Sequence, residues 1–156
     1  RILIAGQAPG RKVHEGGTLF ADASGARLRS WLGIDDATFY DPDFVAILPM
    51  GFCYPGKGRS GDLPPRPECA ETWRERLLGF LPRVGLTVIL GKYALAWHLG
   101  ETGPLNQVVS RWEERLPDTV VLPHPSPRNN PWLSANPWFE ADVVPRVRAR
   151  VAELLS

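Results

Sequence analysis

Four short apolar runs constrain this chain more than anything else in it. They are Ile2-Leu3-Ile4-Ala5, Phe44-Val45-Ala46-Ile47-Leu48, Leu86 to Leu90, and Thr119-Val120-Val121-Leu122, and each runs into glycine or proline. None alternates apolar with polar residues, as a strand with one wet face would. A continuous run of this length reads as a strand buried on both faces, the usual state of a parallel sheet. Helical patterns lie between and after the runs. Leu28, Trp31 and Leu32 share one face of a helix over Ala26 to Leu32, with Asp22 or Ser24 as its N-cap. Pro67-Glu68 opens a helix through Leu81, with Trp73, Leu77, Leu78 and Leu81 at helical spacing. Further helices are expected over Lys92 to Leu99, closed by Gly100, over Pro104 to Leu116, and over Pro137 to Leu155. Asp35 to Asp43 reads as a turn with a short excursion. The alternation predicts a three-layer α/β/α sandwich with a central, mainly parallel four-stranded sheet. The 156 residues suit a single domain over 1–156. Arg1 stands directly before the first apolar run without an initiator Met, so a short natural N-terminal segment is expected to precede it.

In such sheets ligands bind beyond the carboxyl ends of the strands. Three segments fall there. GQAPG, Gly6 to Gly10, offers two glycines for close backbone approach. The stretch from Pro49 to Pro67 is long and irregular, yet places Met, Phe, Cys and Tyr within five consecutive positions, Met50 to Tyr54. That content suits an ordered binding loop better than a linker. HPSPRNN, His124 to Asn130, follows the last strand. Pro125 and Pro127 hold His124 and Ser126 extended, and Arg128, Asn129 and Asn130 supply donors beyond them. The bland reading of this stretch is a proline-rich turn with Ser and Asn as turn formers.

The net charge of +1 does not by itself announce a nucleic-acid partner, but Arg11, Lys12, Lys57, Arg59 and Arg66 cluster in the glycine- and proline-rich segments. Cys53 and Cys69 lack the spacing of a cysteine-ligated metal centre, and no metal or redox cofactor is expected. Two free cysteines suit a cytoplasmic protein, and no run is long enough to span a membrane.

A strand ending in GQAPG near the start, and a strand ending in HPSP near the end, resemble the two signature motifs of the uracil-DNA glycosylase superfamily. GQAPGRKVHEGGTLF resembles the first motif of the thermophilic iron–sulfur type, although the cluster cysteines are absent. FADASG, Phe20 to Gly25, is similar to a segment of a bacterial branch that lacks a polar residue in its first motif. ILGKYALAWHLG is similar to the strand–Gly–helix unit before the second motif, and HPSPRN to the intercalating loop of the single-strand-selective type. There are departures too. Ala8 stands where the best-known branch has a water-orienting Asp, Gln7 where the iron–sulfur type has Glu, and Ala46 and Ile47 where members commonly carry a base-reading Asn.

The resemblance implies a monofunctional DNA glycosylase that hydrolyses the N-glycosidic bond of a flipped uracil or other deaminated base, initiating base excision repair. A monomer acting on single- or double-stranded DNA is expected. His124 would stabilise the departing base; otherwise it is a loop histidine satisfied by backbone. Asp22 would orient the water, or would only cap its helix; Gln7 or His14 could orient water without deprotonating it. Phe20 would stack on the base, with Ala8, Met50, Gly51 and Phe52 completing the pocket and backbone groups of Met50 to Phe52 reading the base edge. Backbone readout would tolerate more than one deaminated base. The amides of Gly6 to Gly10, together with Arg11, Lys57, Arg59 and Ser126, would meet phosphate or the base edge. Pro127, Arg128 and Asn129 would enter the gap left in the duplex. A DNA- or nucleotide-binding module on the same fold that has lost catalysis is the main alternative, and a hydrolase of free nucleosides or nucleotides a third.

Overall fold

The computed structural model describes residues 1–156. Its central sheet has four strands, β1 (Ile2–Ala5), β2 (Val45–Ile47), β5 (Leu86–Leu90) and β6 (Thr119–Leu122), in the order β2-β1-β5-β6. All three pairings are parallel, with Ile2 opposite both Val45 and Leu86, and Thr87 opposite Thr119. Every residue of β1 is buried, as the unbroken apolar run requires of a strand covered on both sides. The chain leaves β1 toward β2 on one side and later toward β5 and β6 on the other. The order therefore reverses between β1 and β5, a switch point of the kind beside which open α/β sheets bind ligands.

Nine α-helical segments follow the chain. They are α1 (Arg11–His14), α2 (Ala23–Leu32), α3 (Asp36–Phe39), α4 (Pro67–Cys69), α5 (Glu75–Gly79), α6 (Lys92–Leu99), α7 (Leu105–Ser110), α8 (Asn130–Ala135) and α9 (Val144–Leu155). No helix is long and apolar enough to cross a membrane. Right-handed crossovers put α2 and the run α4–α5 on opposite faces of the sheet. On the first face α2 packs against α9. There Arg148 donates to the Ser30 carbonyl at 2.7 Å, and Trp31 Nε1 donates to Glu140 at 3.2 Å. Leu28, Leu32, Val147 and Val151 are buried between them.

Where the ends of an element are marked by glycine, expectation and structure agree. Gly91 precedes α6, Gly100 closes it in the left-handed conformation, and β5 and β6 have the expected bounds. Elsewhere the structure differs. β2 is three residues rather than five. The helix expected over Pro104 to Leu116 stops at Ser110, and a 3-10 turn over Trp112–Glu114 continues it. The last helix is preceded by a π turn over Phe139–Val143. Asn130–Ala135 is helical although it was expected to be loop, with Pro131 in the first turn where its missing N–H costs nothing. The Pro49–Pro67 stretch holds a small antiparallel ribbon, β3 (Lys57–Gly58) paired with β4 (Gly61–Asp62), with Arg59 and Ser60 at its tip.

The largest departure lies in the Pro67 helix. A five-residue π turn, Ala70–Arg74, interrupts it between α4 and α5. Ala70 and Arg74, four residues apart, form its buried face, while Trp73, expected on that face, is 46% exposed.

Candidate active site

The site is assembled at the carboxyl edge of the sheet. β1 ends at Gly6, and the backbone of the next loop pairs with the segment after β2. Met50 N–H donates to the Gly6 carbonyl and Gly51 N–H to the Gln7 carbonyl, each at 2.9 Å. Gly51 sits in close contact with its neighbours, so a side chain there would make them give by a few tenths of an ångström. A Cβ there would stand 3.0 Å from Pro65 and 3.4 Å from Ala8. These bonds bring Ala8, Met50 and Gly51 together as expected, but they engage the amides of Met50 and Gly51. The expected backbone readout is therefore narrowed to the carbonyls of Met50 and Gly51 and the N–H of Phe52. The Met50 side chain is in the core, whereas Phe52 is exposed. Gln7 is half-buried at the switch point, its Oε1 3.7 Å from where a Cβ of Gly91 would stand.

Phe20 lies over the same strand end. Its ring tip is 3.8 Å from the position a Gly6 Cβ would take, and its edge meets Phe39 at 6.0 Å between centroids. Its backbone has φ of 60°, a left-handed conformation that in a bulky residue costs about 1–3 kcal/mol and tends to occur at functional sites. Two contacts hold it there. Arg29 donates to the Phe20 carbonyl at 2.9 Å, and Gly25 passes so close beneath that a Cβ would fall 1.6 Å from that oxygen. No residue but glycine can stand at 25 without moving Phe20.

Asp22 is the N-cap of α2, accepting from Gly25 N–H at 3.0 Å through Oδ1. The capping role is thus present, and it occupies one of the two carboxylate oxygens. Ser24, the other candidate cap, is buried inside the first turn.

His124 sits half-buried at the end of β6. Its Nδ1 accepts the Ser126 N–H at 3.2 Å. The proton of the neutral ring must then be on Nε2, which is left as the donor. Burial pushes the imidazole below its usual pKa, and the Asp22 carboxylate opposes that shift in part. The loop around the histidine is pinned from several directions. Asn129 donates its side-chain amide to the His124 carbonyl at 2.7 Å, and its N–H to the Ser126 carbonyl at 3.0 Å. Ser126, extended as expected with ψ of 144°, accepts the Arg128 N–H at 3.2 Å and so closes the turn. The Asn129 amide thus braces the loop that carries His124.

Arg27 was missed by the sequence reading. It rises from α2 and donates to the Ser126 carbonyl at 3.3 Å, tying the helix capped by Asp22 to the loop of His124. Its place one turn into a helix that starts beside the first motif was the available signal.

The cationic residues surround this edge. Arg128 and Pro127 are exposed, and Arg128 Nη1 leans over the ribbon, 3.1 Å from where a Cβ of Gly61 would be. HPSPRNN and the ribbon carrying Lys57 and Arg59 therefore meet, and both cations are exposed. Arg11 is exposed and paired with Glu15 at 2.9 Å. Gly10 precedes α1, and a side chain there would meet nothing within 4 Å. His14 accepts the Tyr54 N–H at 3.3 Å, which commits its Nδ1 to holding the long loop. Trp132, Trp138 and Phe139 pack on one another and on the core, apart from these residues.

The first loop, the Pro49–Pro67 stretch and HPSPRNN thus meet along one edge of the sheet. The chain belongs to the uracil DNA glycosylase superfamily, whose family model matches residues 1–148.

Proposed function

We propose that the protein is a monofunctional DNA glycosylase that hydrolyses the N-glycosidic bond of a flipped uracil or related deaminated base. Cleaving this bond places negative charge on the departing base and positive charge on the sugar. The carrying observation is His124, a neutral imidazole whose Nδ1 is engaged by Ser126 N–H, so that Nε2–H is held ready as a donor. A rigid neutral donor stabilises an oxyanion without first having to lose a counterion. Phe20, held over Gly6, supplies a stacking face for the extruded base, a contact that contributes about 1–3 kcal/mol. Asp22 Oδ2, not needed for the cap, takes the water. Gln7 assists in orienting it but is too weak a base to deprotonate it.

Base recognition follows from which backbone groups are left over. Deamination turns a ring nitrogen that accepts into an N–H that donates. The carbonyls of Met50 and Gly51 suit such a donor and reject cytosine and adenine, which present an acceptor there. Several deaminated bases share the N–H, so activity on more than one is expected. Thymine shares it as well, and its methyl group must be excluded by shape.

Oligonucleotides containing uracil, hypoxanthine, xanthine or ethenocytosine test the proposal. Abasic sites appearing in at least one support it. Tight binding without abasic sites supports instead a module that has lost catalysis, a reading favoured by the inert methyl of Ala8 where the water-orienting carboxylate would stand. The cations of the ribbon add affinity without selectivity. Replacing Lys57 and Arg59 together by alanine should weaken binding to all sequences alike and reduce the slope of log K against log salt by about 2. A change in base preference, or an unchanged slope, would remove them from the DNA interface.

A further inference from the structure

Arg74 has no part in the chemistry described so far, and its setting calls for one. It is 0% exposed and no ion pair neutralises it. Taking a guanidinium out of water is costly unless every donor finds an acceptor. Here Nη1 donates to the carbonyls of Leu48 and Pro49, both at 3.1 Å, and Nε and Nη2 turn to His98 Nε2 at 3.2 and 2.8 Å. The guanidinium carbon also lies 5.3 Å from the Trp97 ring centroid. To accept, His98 must be neutral and carry its proton on Nδ1. Burial, reinforced by the charge of Arg74, pushes His98 down to about 4, while burial lowers Arg74 only to about 10. At neutral pH the pair is one cation and one acceptor.

The π turn Ala70–Arg74 ends on the arginine, and Arg74 shares the buried face with Ala70 while Trp73 stays on the surface. π turns of this kind are frequent at functional sites. The two carbonyls that Arg74 grips are the last two before Met50, and Met50 and Gly51 then bond to Gly6 and Gln7. One buried cation thus fixes the end of β2 from behind, while the first loop holds the next two residues in front.

We infer that Arg74, oriented by His98, is the positioning residue of the base pocket, setting the Met50–Gly51 wall and through it which base is accepted. The inference rests on the proposed reading of that wall as the base-recognition surface. A fork with two donors on one nitrogen fixes both carbonyls at once, which a lysine cannot reproduce.

The test uses Arg74→Met, which keeps the stem and removes the fork, and Arg74→Lys, which keeps the charge. Rates on uracil and hypoxanthine substrates are measured on the same preparation, because a loss of folded fraction lowers both equally and leaves their ratio unchanged. The ratio should change by at least about tenfold in Arg74→Met and by less in Arg74→Lys. Amide exchange is read in parallel. Protection at Met50 and Gly51 should fall by at least about tenfold while that of Ile4 and Val88 is kept. If Arg74→Met does not fold, Arg74→Lys alone decides by the same two readings. An unchanged ratio with unchanged protection at Met50 and Gly51 overturns the inference. If the wild-type protein releases no base, the glycosylase reading fails by itself, and the exchange measurement still decides whether Arg74 anchors the wall.

Discussion

His124→Ala should lower single-turnover base release by at least about a hundredfold, the usual cost of removing one donor from a developing oxyanion. Binding to DNA should persist. The loop does not depend on the imidazole alone, since Asn129 and Arg27 hold its carbonyls. The truncation leaves the Ser126 N–H without its acceptor, a loss of about 1 kcal/mol that accounts for a small drop in melting temperature and not for a hundredfold rate change. The pH profile adds a second check. Burial lowers the His124 pKa below its usual 6.5, so the neutral donor persists as pH falls through that value. The rate should therefore stay level from pH 8 to below 6.5, where a normal histidine would already be half protonated. Stability runs the other way. The unfolded chain binds its proton near 6.5 and the folded one does not, so stability is fully present above 6.5 and declines as pH falls toward the lowered value. A near-normal rate in His124→Ala would exclude the histidine from the mechanism.

Asp22→Asn should cost about 10²–10⁴ in rate with almost no change in melting temperature. The contrast follows from the cap. Asn caps a helix about as well as Asp, and Oδ1 can still accept the Gly25 N–H, so α2 keeps its start. Only the basic oxygen is lost. Asp22→Ala removes both functions and should add a destabilisation of about 1 kcal/mol to the same loss of rate. An Asp22→Asn protein with full activity, beside an Asp22→Ala protein that merely melts earlier, would mean that the carboxylate is a cap and nothing more. The water would then have to be oriented by Gln7 at the switch point.

The sequence was most legible where a single residue type decides a boundary. Gly91 and Gly100 enclose α6, and the unbroken apolar runs marked β1, β5 and β6, because a strand covered on both faces has no polar alternation to obscure it. The capping choice between Asp22 and Ser24 could not be made from spacing, since both precede the same apolar face; the geometry selects Asp22. The π turn was invisible for a different reason. Helical periodicity assumes a constant turn and leaves no mark of the π turn at Ala70–Arg74. A hydrophobic scale favours burying the tryptophan, and only tertiary acceptors on Leu48, Pro49 and His98 make the opposite choice tolerable. The pairing of Met50 and Gly51 with the first loop, and the approach of Arg128 to Gly61, join residues distant in sequence and leave no local pattern.

The sheet order has a consequence for how the protein fails. β6 is an edge strand, paired on one side only, and it carries His124. Its partner β5 is itself 84 residues beyond the β1 residue it pairs with. Edge elements open at lower free energy than central ones. A brief detachment of β6 would withdraw the histidine while the central pair β1 and β5 stays together. Under mild urea, base release should decline before far-UV circular dichroism does; coincident curves would mean that the edge and the centre melt as one unit. On this account the loop that carries His124 loosens with one edge of the sheet while the central strands keep each other as partners.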